Sequence, residues 1–284
     1  MAGARFVRVA QRRPDLRFPF PGNFAGRLEG ATIARVGRRA KYLLLTLSTG
    51  DTLVMHLGMS GRFSVADAAA AGGASQEAPG TSGGTVTGTG TDPKHDHVVF
   101  TLSTGAAVSY NDPRRFGFML LIPQSGLESH ALFASLGVEP LGNAFHPRYL
   151  AAKAQGRRVD LKAFLLDQRT LAGLGNIYVS EALHRAGLSP DRQASSLVRA
   201  DGQPGYRATR LVGEIRSVLQ AAIDAGGSSL RDYRHTDGTA GGFQNAFSVY
   251  GRGGEACLRP GCGGRIERTV QAQRATFACP KCQR

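Results

Sequence analysis

The stretch Cys257-Leu258-Arg259-Pro260-Gly261-Cys262, followed after sixteen residues by Cys279-Pro280-Lys281-Cys282, holds all four cysteines of the chain. The spacing C-x4-C, then C-x2-C, is that of a two-knuckle zinc ribbon, in which two close pairs of thiolates complete one tetrahedral site. Between the pairs, Gly263 to Arg268 leads into Thr269 to Phe277, which reads as a short hairpin. Arg252, Arg259, Arg265, Arg268, Arg274, Lys281 and Arg284 face only Glu255 and Glu267, a charge balance suited to gripping phosphates. The alternatives are two disulfides or four unrelated core cysteines. Clustering at ligand spacing, in a chain with no secretory signal, favours one Zn2+ on Cys257, Cys262, Cys279 and Cys282.

Working outward, 284 residues are enough for two domains plus a small metal module. Lys and Arg number 35 against 21 Asp and Glu, a net charge of +14 that favours a polyanionic partner over a merely soluble basic protein. The first 41 residues carry nine Arg and Lys41 against Asp15 and Glu29. No apolar run approaches the roughly 18 residues of a membrane span. The N-terminus has no apolar signal core, so a cytoplasmic protein with no membrane partner is expected.

The fold class read from patterning is α+β. Tyr42 to Leu47, a turn at Ser48 to Asp51, and Thr52 to Leu57 form one hairpin; His97 to Leu102, Ser103-Thr104-Gly105, and Ala106 to Tyr110 repeat the design. Two such hairpins imply a β-sandwich or a strongly curved sheet over residues 1–125. Between them, Ala66 to Pro93 is almost all Ala, Gly, Ser and Thr, a composition that predicts a disordered loop. Residues 126–227 change to helical spacing, with helices expected at Leu127 to Leu136, Pro147 to Ala154, Val159 to Leu166, Ile177 to Ala186 and Tyr206 to Ala225. Pro147 is placed to begin a helix, and Gly187 and Gly226-Gly227 to end two. A polar, glycine-rich loop within 228–248 then leads to the zinc module at 249–284.

Three segments carry candidate chemistry. Leu171-Ala172-Gly173-Leu174-Gly175-Asn176-Ile177-Tyr178 joins two helices through glycine turns and places Asn176 at a helix start, where free N–H groups attract an anion. This suits a helix–two-turn–helix on a DNA phosphate; an ordinary Asn-capped connection is the alternative. Asn111-Asp112-Pro113-Arg114-Arg115-Phe116-Gly117 sets adjacent guanidiniums beside an aromatic, a wedge able to bond and stack on bases, or else a turn whose Phe packs inward. His56-Leu57-Gly58-Met59-Ser60-Gly61 is a second glycine-rich loop, whose Met59 is either core or a second wedge residue.

These segments, in this order, resemble the formamidopyrimidine-DNA glycosylase and endonuclease VIII family. Further matching stretches are Arg38-Arg39-Ala40-Lys41-Tyr42-Leu43, Lys94-His95-Asp96-His97, Val249-Tyr250-Gly251-Arg252 and Arg274 to Gln283. The resemblance spans nearly the whole chain from about Leu16, and both wedge loops and the lesion loop favour the formamidopyrimidine branch. It implies an N-terminal β-sandwich truncated at its start, a helix–two-turn–helix domain and a zinc-ribbon hairpin, with damaged double-stranded DNA in the cleft between them. It implies base-excision repair: removal of oxidised purines (8-oxoguanine, formamidopyrimidines) and cleavage at the abasic site by β,δ-elimination. Met59, Arg114 and Phe116 would fill the space left by a flipped nucleotide. Asn176 and Arg274 would hold phosphates, His95 and Arg158 would add DNA contacts, and Lys41 and Arg274 would serve the elimination steps. Residues Ser228 to Gln244 would cover the everted purine. A monomer acting on the nucleoid is the expected working form.

The chain departs from the family at its start. Members begin Pro-Glu-Leu-Pro-Glu after Met, and the resemblance assigns the terminal proline amine to attack on C1′ and the glutamate to acid catalysis. This sequence reads Met1-Ala2-Gly3-Ala4-Arg5-Phe6-Val7-Arg8, and Val7-Arg8-Val9 resembles the segment just after that first helix in family members. A start codon placed too late is the expectation. A zinc-dependent damage-binding module without catalysis is the alternative.

Overall fold

The computed structural model describes residues 1–66, 92–229, 236 and 239–284. Its chain packs as two units, Met1–His130 with Ser228–Gly241, and Ala131–Gly227 with Gly242–Arg284.

The first unit contains β1 (Phe6–Gln11), a short helix α1 (Phe24–Leu28), β2 (Ile33–Arg39), β3 (Tyr42–Leu47), β4 (Asp51–His56), β5 (Arg62–Ala66), β6 (Asp96–Leu102), β7 (Ala107–Asn111) and β8 (Phe118–Pro123). These strands make two four-stranded sheets, ordered β1-β6-β7-β5 and β2-β3-β4-β8. This is the expected sandwich. Its two repeated hairpins are β3–β4 and β6–β7, with Gly50 and Gly105 both at φ 85, a left-handed turn conformation that glycine enters without steric cost. The inward positions Leu45, Leu47, Leu53, Met55, Met119 and Leu121 pack with Phe6, Val98, Phe100, Leu102, Val108 and Tyr110 in one apolar core. Each such side chain contributes roughly 1.5–3 kcal/mol by leaving water, so alternation along the strands fixes register and layer together. Ala66 closes β5 and Pro93 opens a single 3-10 turn. The Ala/Gly/Ser/Thr loop expected between them falls at 67–91, outside the described residues. Of the loop expected to cover the purine, 230–235 and 237–238 also lie outside them.

The second unit contains α2 (Pro147–Ala154), α3 (Leu161–Leu166), α4 (Asn176–Ala186), α5 (Tyr206–Asp224), β9 (Glu267–Gln271) and β10 (Arg274–Ala278). Pro147 occupies the first turn of α2, and His146 Nδ1 accepts the Tyr149 N–H as its cap. Gly187, at φ 68, ends α4 as its spacing implied. The apolar faces of all four helices converge on one core that includes Phe145, Leu161, Val179, Leu183, Leu211, Ile215 and Phe243. Among the described residues no helix is long and apolar enough to cross a membrane.

One expected helix is absent. Leu127 to Leu136 forms successive turns, closed by three-residue bonds such as His130 N to Leu127 O at 3.3 Å and Leu136 N to Phe133 O at 3.0 Å. The reason is tertiary. Gly137 N donates to Gln168 O at 2.8 Å, and Val138 pairs in parallel with Leu171, so the chain is drawn straight toward the α3–α4 connection. A Cβ on Gly137 would stand 2.3 Å from Thr170 O, so only glycine lets the chain pass this close to the 168–171 backbone directly after the segment.

Candidate nucleic-acid interface and metal centre

In the first unit the two candidate wedge loops form one construction around Asp112. This carboxylate is fully buried. Its Oδ1 accepts Ser60 Oγ–H at 2.6 Å, and its Oδ2 accepts Tyr110 O–H at 3.1 Å and Gly117 N–H at 2.9 Å. Ser60 Oγ in turn accepts the Arg114 N–H at 3.2 Å, so the Met59 loop and the Arg114–Phe116 loop share one hydrogen-bonded hub. The loops also touch backbone to backbone. A Cβ on Gly58 would lie 2.5 Å from Phe116 C, and one on Gly117 would overlap the Tyr110 hydroxyl. Burial, followed by the Asp112 charge and hydrogen bond, pushes the Tyr110 pKa well up, keeping that hydroxyl a donor.

This hub leaves the tips in solvent. Met59 is 65% exposed and Phe116 44%, against the ordinary preference of both side chains for the interior. The Arg114 guanidinium lies over the Phe116 ring at 4.6 Å, and Arg115 takes a left-handed φ of 58. The inward-packing alternative for Phe116 and Met59 therefore does not hold. His95 joins the same group: its carbonyl accepts Asp112 N–H at 3.0 Å, and its ring meets that of His97, whose Nε2 bonds Asp112 O at 2.9 Å. Lys41 follows β2 at an exposed turn. Its charge helps depress the pKa of His56, after burial and ahead of Arg17. His56 stacks on Phe118 and holds Gly58 N–H on Nδ1 at 3.0 Å, which ties the Lys41 turn to the Met59 loop.

In the second unit the helix–two-turn–helix and the hairpin β9–β10 meet at the start of α4. Gly173 turns at φ 85 as glycine alone does easily, whereas Gly175 is extended at φ −114 and ψ 171, so only one of the two glycines is needed for its conformation. Asn176 is the first residue of α4 but does not cap it. Its Nδ2 donates to Ala275 O at 2.9 Å, and its buried Oδ1 has no protein partner. That contact sets Asn176 beside the exposed Arg274. Ala272 and Gln273 turn left-handed at φ 47 and 60 to reverse the hairpin just before Arg274. The first N–H groups of α4 have no carbonyl four residues back, an anion-seeking end beside these side chains. Arg158 is exposed in the segment before α3, between Arg157 and Val159, whose carbonyls accept Ser195 and Ala194 N–H groups.

Two residues that the sequence did not single out hold this assembly. Lys162, 1% exposed, donates from Nζ to Ala275 O at 2.9 Å and to Thr276 Oγ1 at 2.6 Å. Burial, then the Arg274 charge, draws its pKa down to about 8, with Asp191 opposing. Glu181, fully buried, accepts three backbone N–H groups at 2.9 Å: Ser248 on Oε2, Val249 and Tyr250 on Oε1. The signal was present but ambiguous, because a Lys or Glu inside an apolar helical face does not announce which backbone it will meet.

The four cysteines form one cluster. Cys257 Sγ lies 3.8 Å from Cys282 Sγ and Cys262 Sγ 3.6 Å from Cys279 Sγ, with all four sulfurs within 4.8 Å of one another. These separations are too long for disulfides, and all four thiols are free. A tetrahedron with Zn–S bonds of about 2.3 Å has sulfurs about 3.8 Å apart, so the cluster fits zinc. Gly264 leaves the space: a Cβ there would stand 2.7 Å from Cys279 Sγ. Burial raises the Cys257 and Cys282 thiols, whereas at Cys279 burial is outweighed by backbone hydrogen bonds from Cys282 and Lys281 and the thiol is lowered; a divalent cation bound here would displace the thiol protons.

Three family models match the chain: the formamidopyrimidine-DNA glycosylase N-terminal domain over residues 1–119, its H2TH domain over 136–234, and the zinc finger found in FPG and IleRS over 254–284. The formamidopyrimidine-DNA glycosylase of Beijerinckia indica is 56% identical over 284 residues, covering all of this chain and 94% of that relative. That of Azorhizobium caulinodans is 54% identical with the same coverage. Among solved structures, the MutM (FPG) protein of Thermus thermophilus superposes with a TM-score of 0.77 at 37% identity, covering 100% of this chain and 92% of that one. Lactococcus lactis Fpg bound to abasic-site DNA gives 0.79 at 29% identity, covering 100% and 94%.

Proposed function

This chain belongs to the formamidopyrimidine-DNA glycosylase family, and from that premise we propose how its own residues serve base-excision repair. It is a zinc-containing DNA glycosylase of this repair pathway. Its substrate is damaged double-stranded DNA carrying oxidised purines, and its reaction is base removal followed by strand cleavage at the abasic site. It works as a monomer on nucleoid DNA in the cytoplasm.

The observation that carries the residue assignments is the shared Asp112 hub, which holds Met59, Arg114 and Phe116 out in solvent at a net cost in exposed apolar surface. Such a rigid, exposed trio suits the gap left when a nucleotide turns out of the stack: Phe116 and Met59 replace lost stacking, and Arg114 bonds the orphaned base. His95, set on the same hub, adds a contact to the DNA. Lys41 holds lesion phosphates and assists elimination by moving protons near the opened sugar. On the second unit, Asn176 and the start of α4 bind a phosphate with Arg274, which also serves the elimination steps, and Arg158 adds a further cationic contact. Zinc, when bound by Cys257, Cys262, Cys279 and Cys282, supplies fold stability and fixes the hairpin that presents Arg274.

The test is binding to a duplex with an abasic-site analogue and to the same duplex intact. Arg114→Ala and Phe116→Ala reduce the preference for the lesion more than the affinity for intact DNA. Equal losses on both duplexes refute the wedge assignment.

A further inference from the structure

His184 lies in the last turn of α4, about two turns beyond Asn176 on the same helix. Its ring is 4% exposed, and its Nε2 stands 3.4 Å from Cys257 Sγ. A zinc-bound thiolate carries no proton and can only accept, so the ring nitrogen facing it must be the protonated one. The other nitrogen, Nδ1, is buried with no protein partner, which leaves the Nε2–H···Sγ contact as the ring's one polar anchor among the described residues.

A second tie runs alongside. Arg259, two residues after Cys257, donates from Nη2 to His184 O and, at 3.4 Å, to Arg185 O. These are carbonyls of the last helical turn, where the helix dipole leaves partial negative charge. Four thiolates on one Zn2+ carry a formal charge of −2. A helix C-terminus beside such a cluster is repelled unless donors offset its charge; the His184 N–H faces the Cys257 sulfur, and the Arg259 guanidinium binds the helix-end carbonyls.

We propose that His184 is a positioning residue of the zinc site: it donates a hydrogen bond to the Cys257 thiolate and so couples zinc retention to the helix that presents Asn176 to DNA. The proposal rests on zinc filling the four-sulfur site. It makes α4 continuous with the metal centre through Asn176 on Ala275, Glu181 on the 248–250 backbone, and His184 on the metal ligand itself. Loss of that bond leaves Cys257, one of the two half-exposed ligands, the weakest arm of the site.

The experiment uses the full zinc-loaded chain. His184→Phe keeps the ring volume without the donor; His184→Gln offers an amide N–H toward the sulfur. Zinc affinity is expected to fall about 10- to 100-fold in His184→Phe, the range seen when hydrogen-bonding partners of metal ligands are removed, with correspondingly faster transfer to excess chelator and Cys257 the first cysteine alkylated. His184→Gln restores slow release. Transfer at the wild-type rate in His184→Phe overturns the proposal, as does equally fast transfer in both variants, which would mark lost packing instead. In cadmium-113-exchanged wild-type protein, a through-hydrogen-bond coupling between the metal and the His184 Nε2 proton is expected, and its absence overturns the proposal without any mutation. Wild-type protein that holds no zinc fails the metal reading; zinc-loaded protein without the coupling fails this one alone.

Discussion

Glu181→Gln tests whether the zinc hairpin is held to the helices by one buried carboxylate. The carboxylate accepts three N–H groups at 2.9 Å, two of them on Oε1. An amide has one acceptor oxygen, so whichever way Gln turns, at least one backbone N–H faces an NH2 group. Hydrogen bonds to a charged acceptor contribute about 1.5–3 kcal/mol and neutral ones about 0.5–1.5, while a buried donor left unpaired costs about 1–3. Two weakened bonds and one lost sum to about 3–5 kcal/mol. Burying an amide is less costly than burying an ion, which returns part of this and leaves about 2–4 kcal/mol. The assay is native-state hydrogen exchange at the amides of Ser248, Val249 and Tyr250 in zinc-loaded protein. A local loss of about 3 kcal/mol speeds their exchange roughly 100-fold while amides of the β-sandwich stay unchanged. Exchange at the wild-type rate in Glu181→Gln would refute the reasoning, because the three bonds would then be replaceable by water or by a neighbour.

Lys162 gives a pH dependence of defined sign. Its pKa is near 8 in the fold and 10.5 when free, so between these values the unfolded chain holds more protons and stability rises with pH, by about 3 kcal/mol in all, then levels off above 10.5. Denaturant midpoints at pH 7.5 and above compared with Lys162→Met read this out; parallel curves for the two proteins sink it. Asp112→Asn keeps Met59, Arg114 and Phe116 intact but cannot accept from Ser60, Tyr110 and Gly117 together, so discrimination between abasic and intact duplex falls in a binding titration. Metal analysis returns one zinc per chain, and Cys279→Ser lowers both zinc content and DNA affinity; four titratable free thiols in metal-free, DNA-binding protein would contradict it. A form of the chain preceded by Pro-Glu-Leu-Pro-Glu excises 8-oxoguanine and is trapped on DNA by borohydride, whereas inertness with retained lesion binding would favour the damage-binding alternative.

The sequence by itself determined what depends on local spacing. Cysteine intervals named the metal centre, because two short loops can only bring thiolates together in pairs. Alternation in residues 42–56 and 97–110 named the two hairpins, because strand side chains must segregate by face. Pro147 and Gly187 marked helix ends through their own φ preferences. Tertiary structure decided what depends on a partner distant in the chain. Leu127 to Leu136 has helical spacing but forms turns, because Gly137 and Val138 directly after it pair with Gln168 and Leu171. Asn176 carries a capping side chain but spends it on Ala275, ninety-nine residues away. Asp112, Lys162, Glu181 and His184 read as ordinary polar residues until the fold buries each against its one partner or set of partners. A buried polar group must be satisfied, and where its partners lie is set by packing across the whole unit, which local periodicity does not encode.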